Sequence, residues 1–351
     1  MNLQIFDETL RDGEQMPGLV FSFNEKLKLA EEISDFGVDY IRLMPSVSAE
    51  EADLTRVLTD EGIRVSAVCP MKKEFIEEVA KLGVKRIALF HKFKEILKNP
   101  SQAIDLINYS KDFGLKVELA CEGASTSNLE ELDELVEISK NVSQFIYSDT
   151  SGLLTPWKTK EVISRISKKV NVEFHGHNDL GMASANTLMA IKSGATAFSG
   201  TFCGIGERAG NAAIEEVVVA LKVIEGINLN VNYKVIKNLC EKVGKVAGIT
   251  LPPQKPIVGS NAFAHESGIH VNALLKGSSI YEPFDPSIVG NSRVIVFGKH
   301  SGKSNLKYLL SKYGIPYKED ELGPLLDKLK TESLRKKRNL TEQEVLKLYE
   351  N

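Results

Sequence analysis

The chain has 351 residues, 42% of them hydrophobic, and a formal net charge of −3. That is enough for one large domain with a smaller appendage, and the charge balance excludes an electrostatic footing for nucleic acid. No apolar run approaches the roughly 20 residues that cross a bilayer, no secretory leader is visible at Met1-Asn2-Leu3-Gln4, and Cys69, Cys121, Cys203 and Cys240 lie far apart with no Cys-x-x-Cys pair, which predicts reduced thiols in a cytoplasmic protein.

In chain order, short β-branched or apolar runs predict strands near Leu3–Phe6, Tyr40–Met44, Arg64–Val68, Arg86–Phe90, Lys116–Ala120, Phe145–Tyr147, Val172–His175 and Ala197–Thr201. Helical spacing separates them, as in Glu25–Phe36, Lys72–Leu82, Gln102–Phe113, Leu129–Lys140 and Ser184–Ser193. Gly37, Gly62, Gly83, Gly114 and Gly194 suit left-handed helix stops. Eight such repeats favour an α/β fold of the (β/α)8 TIM-barrel type over an open sheet. No Gly-x-Gly-x-x-Gly follows the first strand, which argues against a dinucleotide fold. The expected organisation is a barrel over 1–250, a linker and lid segment over 251–302 that opens on Leu251-Pro252-Pro253, and a small helical subdomain over 303–351. The basic run Arg335-Lys336-Lys337-Arg338 reads as a solvated helix face.

The chemistry concentrates in Phe174-His175-Gly176-His177-Asn178-Asp179. Side chains alternate along a strand, so His175 and His177 point the same way and two neutral imidazoles can share a divalent metal. Alone, the pair reads more simply as satisfied histidines. In a closed parallel barrel, however, residues after strands one, seven and eight converge at the C-terminal mouth. After strand one comes Asp7-Glu8-Thr9-Leu10-Arg11-Asp12-Gly13-Glu14-Gln15, and after strand eight Gly204-Ile205-Gly206-Glu207-Arg208-Ala209-Gly210-Asn211. One carboxylate, two imidazoles and a candidate amide oxygen make an N/O site for Mg²⁺, Mn²⁺ or Zn²⁺.

These three stretches, with His265-Glu266-Ser267-Gly268-Ile269-His270, Tyr281-Glu282-Pro283 and Gly298-Lys299-His300-Ser301-Gly302, resemble the signatures of the alkylmalate synthases. That family holds the homocitrate, isopropylmalate and citramalate synthases, and the similarity runs from about Ile5 to Gly302. The resemblance implies a Claisen-type condensation of acetyl-CoA with a 2-oxo acid. It implies a divalent metal on Asp12, His175 and His177 with Asn211 beside it, Arg11 facing the developing alkoxide, and Glu122, His270 and Tyr281 as the proton-handling set. Thr150 and Gln15 become oxo-acid contacts, and a domain-swapped homodimer becomes the expected assembly. His265 and His300 read as lid packing, and Cys203 as buried filler.

Three loops depart from the family pattern. Arg42 stands where an acidic residue is usual, His91-Lys92 replaces a Ser/His pair, and Gly123-Ala124-Ser125 follows Glu122. An arginine in the mouth suits a distal carboxylate, which points to 2-oxoglutarate and a homocitrate-type product. The alternative for Arg42 is an internal pair with an acid such as Glu14. Remaining alternatives for the whole are an isopropylmalate- or citramalate-type synthase using 2-oxoisovalerate or pyruvate, and a non-catalytic metabolite-binding barrel.

Overall fold

Eight parallel strands close on themselves in this computed structural model, which describes residues 3–277 and 280–350. They are β1 (Gln4–Asp7), β2 (Tyr40–Leu43), β3 (Val65–Pro70), β4 (Arg86–Lys92), β5 (Lys116–Glu122), β6 (Gln144–Asp149), β7 (Val172–Gly176) and β8 (Ala197–Gly200). Closure is made by β1 pairing with β8, from Gln4 opposite Ala197 to Asp7 opposite Gly200. The expected strands match these closely. Several run one or two residues further, because the backbone ladder continues into polar residues such as Lys92, Glu122 and Asp149 that carry no apolar signal.

The helices that wrap the barrel are α1 (Phe23–Phe36), α2 (Ala49–Asp60), α3 (Lys73–Ala80), α4 (Phe93–Lys98), α5 (Pro100–Asp112), α6 (Leu129–Ser139), α7 (Pro156–Ile166), α8 (Ala183–Lys192), α9 (Ile214–Val223) and α10 (Ile236–Val246). Their starts are written in the sequence. Ser22 and Glu25 form a reciprocal capping box on α1, and Asn128 and Glu131 do the same on α6, each such cap contributing about 1 kcal/mol. Thr155 caps α7, with Pro156 at its first position. The five glycine stops all have positive φ, between 75° and 107°. At Gly37 a Cβ would also meet the Asn230 carbonyl at 2.8 Å, so both backbone conformation and close approach require glycine there.

Inside the barrel, strand alternation stacks two layers on the inward face. The deeper layer is charged: Arg42, Arg86, Glu118 and Glu173 are each at most 1% exposed. Two residues further along β3, β4 and β5 from Ser66, Arg86 and Glu118 come Val68, Ala88 and Ala120, which cluster with Ile146, Met44 and Phe90. This charged layer differs from the aliphatic filling usual in such barrels.

By its contacts the chain forms two compact units, Met1–Thr250 and Leu251–Asn351. In the second, β9 (Ala264–His265) pairs in parallel with β10 (Val294–Ile295), and α11 (Gly268–Leu275) lies within the stretch expected as linker and lid. Helices α12 (Lys303–Lys312), α13 (Leu322–Lys336) and α14 (Glu342–Glu350) follow. This unit has its own core, in which Val271, Phe297, Leu306, Leu309, Leu329 and Leu340 are buried. Arg335, Lys336 and Arg338 of the basic run pair with Glu332 and Glu344 at the surface. No helix among the described residues is long and apolar enough to cross a membrane, and no disulfide joins the four cysteines.

Candidate active site

At the C-terminal mouth, Asp12, His175 and His177 place donor atoms within 4.8 Å of one another, and all three are buried. The two imidazole Nε2 atoms lie 3.2 Å apart, and Asp12 Oδ2 is 3.8 and 3.9 Å from them. His175 Nδ1 meets Ser199 Oγ at 2.9 Å. With Nδ1–H donating to the hydroxyl, the Nε2 lone pair faces the same point as that of His177. Burial, and then the neighbouring His177, push the His175 pKa down to about 4, so the ring is neutral at pH 7 and its lone pair is available. Asp12 is buried, which alone would raise its pKa. Arg11, the two histidines and the Asn211 hydrogen bond outweigh burial and hold its carboxyl well below the ordinary range.

Asn211 is brought in by a local backbone bridge to His177. Its Nδ2 donates to Asp12 Oδ1 at 2.7 Å, while its Oδ1 is buried without a protein partner. His177 Nδ1 is likewise buried and unpartnered. Orphaned buried polar atoms are rare in native proteins. Two imidazole nitrogens and an ionised carboxylate form the donor set a divalent cation takes, with the orphaned Asn211 amide beside Asp12. The residues therefore fit the metal that the sequence implied, without distinguishing Mg²⁺, Mn²⁺ and Zn²⁺. Gly206 makes the approach of Asp12 and Asn211 feasible, since a Cβ there would lie 2.2 Å from Asn211 Nδ2 and 2.9 Å from Asp12 Oδ1.

Arg11 lies beside this cluster. Its Nε donates to Glu8 Oε2 at 2.7 Å and its Nη1 to Asp12 Oδ2 at 3.2 Å. Glu8, buried, would be raised by desolvation, but the Arg11 and Arg42 cations lower its pKa and keep it charged. A cavity of about 300 Å³ opens here, lined among others by Arg11, Asp12, Gln15, Glu122, Thr150, His175 and His177. Thr150 Oγ1 accepts from Gly123 N at 2.8 Å, which ties the loops after β5 and β6 together. Arg208 joins the loops after β7 and β8 to these, donating to Asp179 at 2.8 Å and to the Thr150 carbonyl at 2.6 Å.

Arg42 requires a correction. The sequence suggested a guanidinium offered to substrate, or an internal pair with an acid such as Glu14, and the internal pairing is what forms, with other acids. The guanidinium lies in the deeper layer. It bonds Glu118 at 2.7 Å, Glu8 at 3.3 Å and Glu173 through both terminal nitrogens, one of those contacts being 2.8 Å, and it stacks 4.3 Å from the Phe6 ring centre. Glu14 pairs with Lys26 instead. Sequence reasoning missed Glu173, although the alternation that pairs His175 with His177 reaches Glu173 one step earlier. Glu8 and Arg208 stand inside the signature stretches without having been given a role, and Glu118 was missed for want of a local signal.

In the second unit, His270 and Tyr281 stack with ring centres 3.8 Å apart and planes 19° apart. His265 is buried against Glu282 at 3.1 Å, and Arg293 grips the same carboxylate. His300 contributes its backbone N–H to Glu266. Cys203 is half-buried, with its thiol on the Cys240 carbonyl at 3.3 Å.

Comparison with known proteins agrees with this geometry. Residues 2–243 match the HMGL-like family model and residues 257–337 the homocitrate synthase post-HMGL domain-like model. The chain is 37% identical to the (R)-citramalate synthase of Methanocaldococcus jannaschii over 94% of this chain and 71% of that protein. It is 36% identical to 2-isopropylmalate synthase 2 of Caldanaerobacter subterraneus, covering 99% and 95%, and 36% identical to homocitrate synthase 1 of Nostoc sp., covering 98% and 96%. Among solved structures, the HMG-CoA lyase of Brucella melitensis superposes with a TM-score of 0.59 at 17% identity, over 70% of this chain and 98% of that one. The carboxyl transferase domain of Rhizobium etli pyruvate carboxylase gives 0.60 at 16%, over 70% and 48%. Both carry the same barrel fold.

Proposed function

The chain belongs to the alkylmalate synthase family, and from that premise we propose that it condenses acetyl-CoA with a 2-oxo acid and releases CoA. The observation that carries the reading is the convergence of the His175 and His177 Nε2 atoms, 3.2 Å apart, on the Asp12 carboxylate. A divalent cation bound there supplies Lewis acidity toward the carbonyl of the oxo acid.

The remaining work falls to the chain's own groups. Arg11, held by Glu8 and Asp12, aims its free N–H groups at the ketone oxygen and stabilises the negative charge that grows on it. Glu122, at the mouth end of β5, takes a proton from the acetyl methyl, and the new carbon–carbon bond forms to the ketone carbon. Thr150 and Gln15 bind the oxo-acid carboxylate. Asn211 keeps Asp12 oriented through its amide N–H. His270 and Tyr281, stacked as one unit, move protons at the mouth of a second copy's barrel in a domain-swapped homodimer. Water then cleaves the thioester. Residues 1–250 serve as the catalytic barrel, 251–302 as linker and lid, and 303–351 as a helical support. Four cysteines outside disulfides suit a reducing cytoplasm.

A 2-oxoglutarate-using, homocitrate-forming version keeps the support of the homocitrate synthase relatives but loses the free Arg42 on which it first rested. The test is thiol release from acetyl-CoA with a panel of 2-oxo acids in the presence of Mg²⁺, Mn²⁺ or Zn²⁺. Release that disappears in Asp12→Asn supports the reading, and no release with any oxo acid refutes it.

A further inference from the structure

The cavity also carries information about the oxo acid itself, provided the condensation reading holds. Its two sides differ. Along the metal cluster it presents Asp12, His175, His177 and Arg11. Across from these, β2 to β6 present Met44, Val68, Ala88, Phe90, Ala120 and Ile146, which pack as one apolar group. The register explains why: Met44, Val68, Ala88 and Ala120 each sit two residues beyond Arg42, Ser66, Arg86 and Glu118, one step nearer the mouth on the same face. The charged layer lies at and beneath the floor of the pocket, where Arg42 lines it, and the wall above has no charge.

Arg11 and Arg42 are the fixed cations lining this cavity among the described residues. The terminal nitrogens of Arg42 are engaged by Glu8, Glu118 and Glu173. Arg11 is held by Glu8 and Asp12 beside the metal cluster, and in the condensation reading its remaining N–H groups are taken by the ketone oxygen. The cavity adds the carboxylates of Glu8, Asp12, Glu122 and Glu207. A substrate's first carboxylate finds partners at the metal cluster. A second carboxylate, carried on the side chain, would be desolvated against apolar groups with no uncommitted cation to meet it.

We propose that the apolar wall formed by Met44, Val68, Ala88, Phe90, Ala120 and Ile146 receives the substrate's side chain, so that the protein takes a 2-oxo acid whose side chain is uncharged and apolar. Full-length protein with Mn²⁺ is assayed for CoA release with pyruvate, 2-oxobutanoate and 2-oxoisovalerate against 2-oxoglutarate and oxaloacetate, and the same acids are titrated calorimetrically without acetyl-CoA. The expected result is a kcat/KM for the best apolar acid about 100-fold or more above either dicarboxylate, with the same order in binding. Higher turnover or tighter binding of a dicarboxylate overturns the proposal and leaves the condensation reading intact. If no acid releases CoA, the condensation reading falls, and the binding order alone decides the proposal. Met44→Lys, which puts a flexible cation on the wall, raises the 2-oxoglutarate to 2-oxoisovalerate ratio at least about tenfold, whereas the neutral Met44→Gln leaves it within about threefold. A ratio unmoved in a folded Met44→Lys protein counts against the assigned wall.

Discussion

Replacing Arg42 by Met separates a structural cation from a substrate-binding one. The side chain is 1% exposed, and its terminal nitrogens serve three glutamates. After the change Glu118 still has Arg86 and Glu8 still has Arg11, but Glu173 loses the partner that accounts for its ion pairing. Stripping one partner from a buried ion pair costs about 3–5 kcal/mol. At about 2–4 °C per kcal/mol for a domain of this size, the melting temperature falls by about 6–20 °C. Burial, opposed by Arg42, already raises the Glu173 pKa to about 7, and losing Arg42 raises it further. A carboxyl with a folded-state pKa above its unfolded value destabilises increasingly as pH rises. The loss is therefore larger near about pH 8 than near about pH 5.5, where Glu173 takes up a proton. Urea unfolding at both pH values measures it, and Glu173→Gln added to Arg42→Met recovers part of the loss. A variant within about 1 kcal/mol of the parent at the higher pH, the range of an exposed pair, refutes the assignment of Arg42 to the barrel interior.

Two further outcomes follow from the metal cluster. Gly206→Ala drives a methyl into Asn211 and Asp12 at a backbone φ of 152°, so Mn²⁺ affinity measured by calorimetry falls at least about tenfold, as for other supporting positions around metals, while the circular dichroism of the barrel is kept. In the metal-free protein, His175 has a folded pKa of about 4 against 6.5 when exposed. The unfolded chain binds more protons between those values, so stability is present above about pH 6.5 and is lost as the pH falls toward about 4. Denaturant titrations across that window show the slope, and it flattens in His175→Gln.

The barrel was legible because its signals are local: eight apolar strands separated by helical spacing, several of the helices capped by a side chain or ended by a glycine. That Asp12, His175 and His177 come together was legible because motif spacing and strand-end convergence both point to them, and Asn211 was placed beside them by the family resemblance. The interior charges were not. Arg42 and Glu173 lie 131 residues apart in sequence, and nothing local to either says that the other fills its coordination. The second unit was hard to read for a different reason. Its core is assembled from α11, α12, α13, α14 and β10 with Phe297 and Leu340 from loops, so its apolar residues follow no single period.

The most direct measurement is an anomalous difference map from a crystal soaked in Mn²⁺. The account predicts a peak roughly 2.1 Å from the Nε2 atoms of His175 and His177 and from a carboxylate oxygen of Asp12. A peak elsewhere, or none at the barrel mouth with the ion in excess, contradicts it.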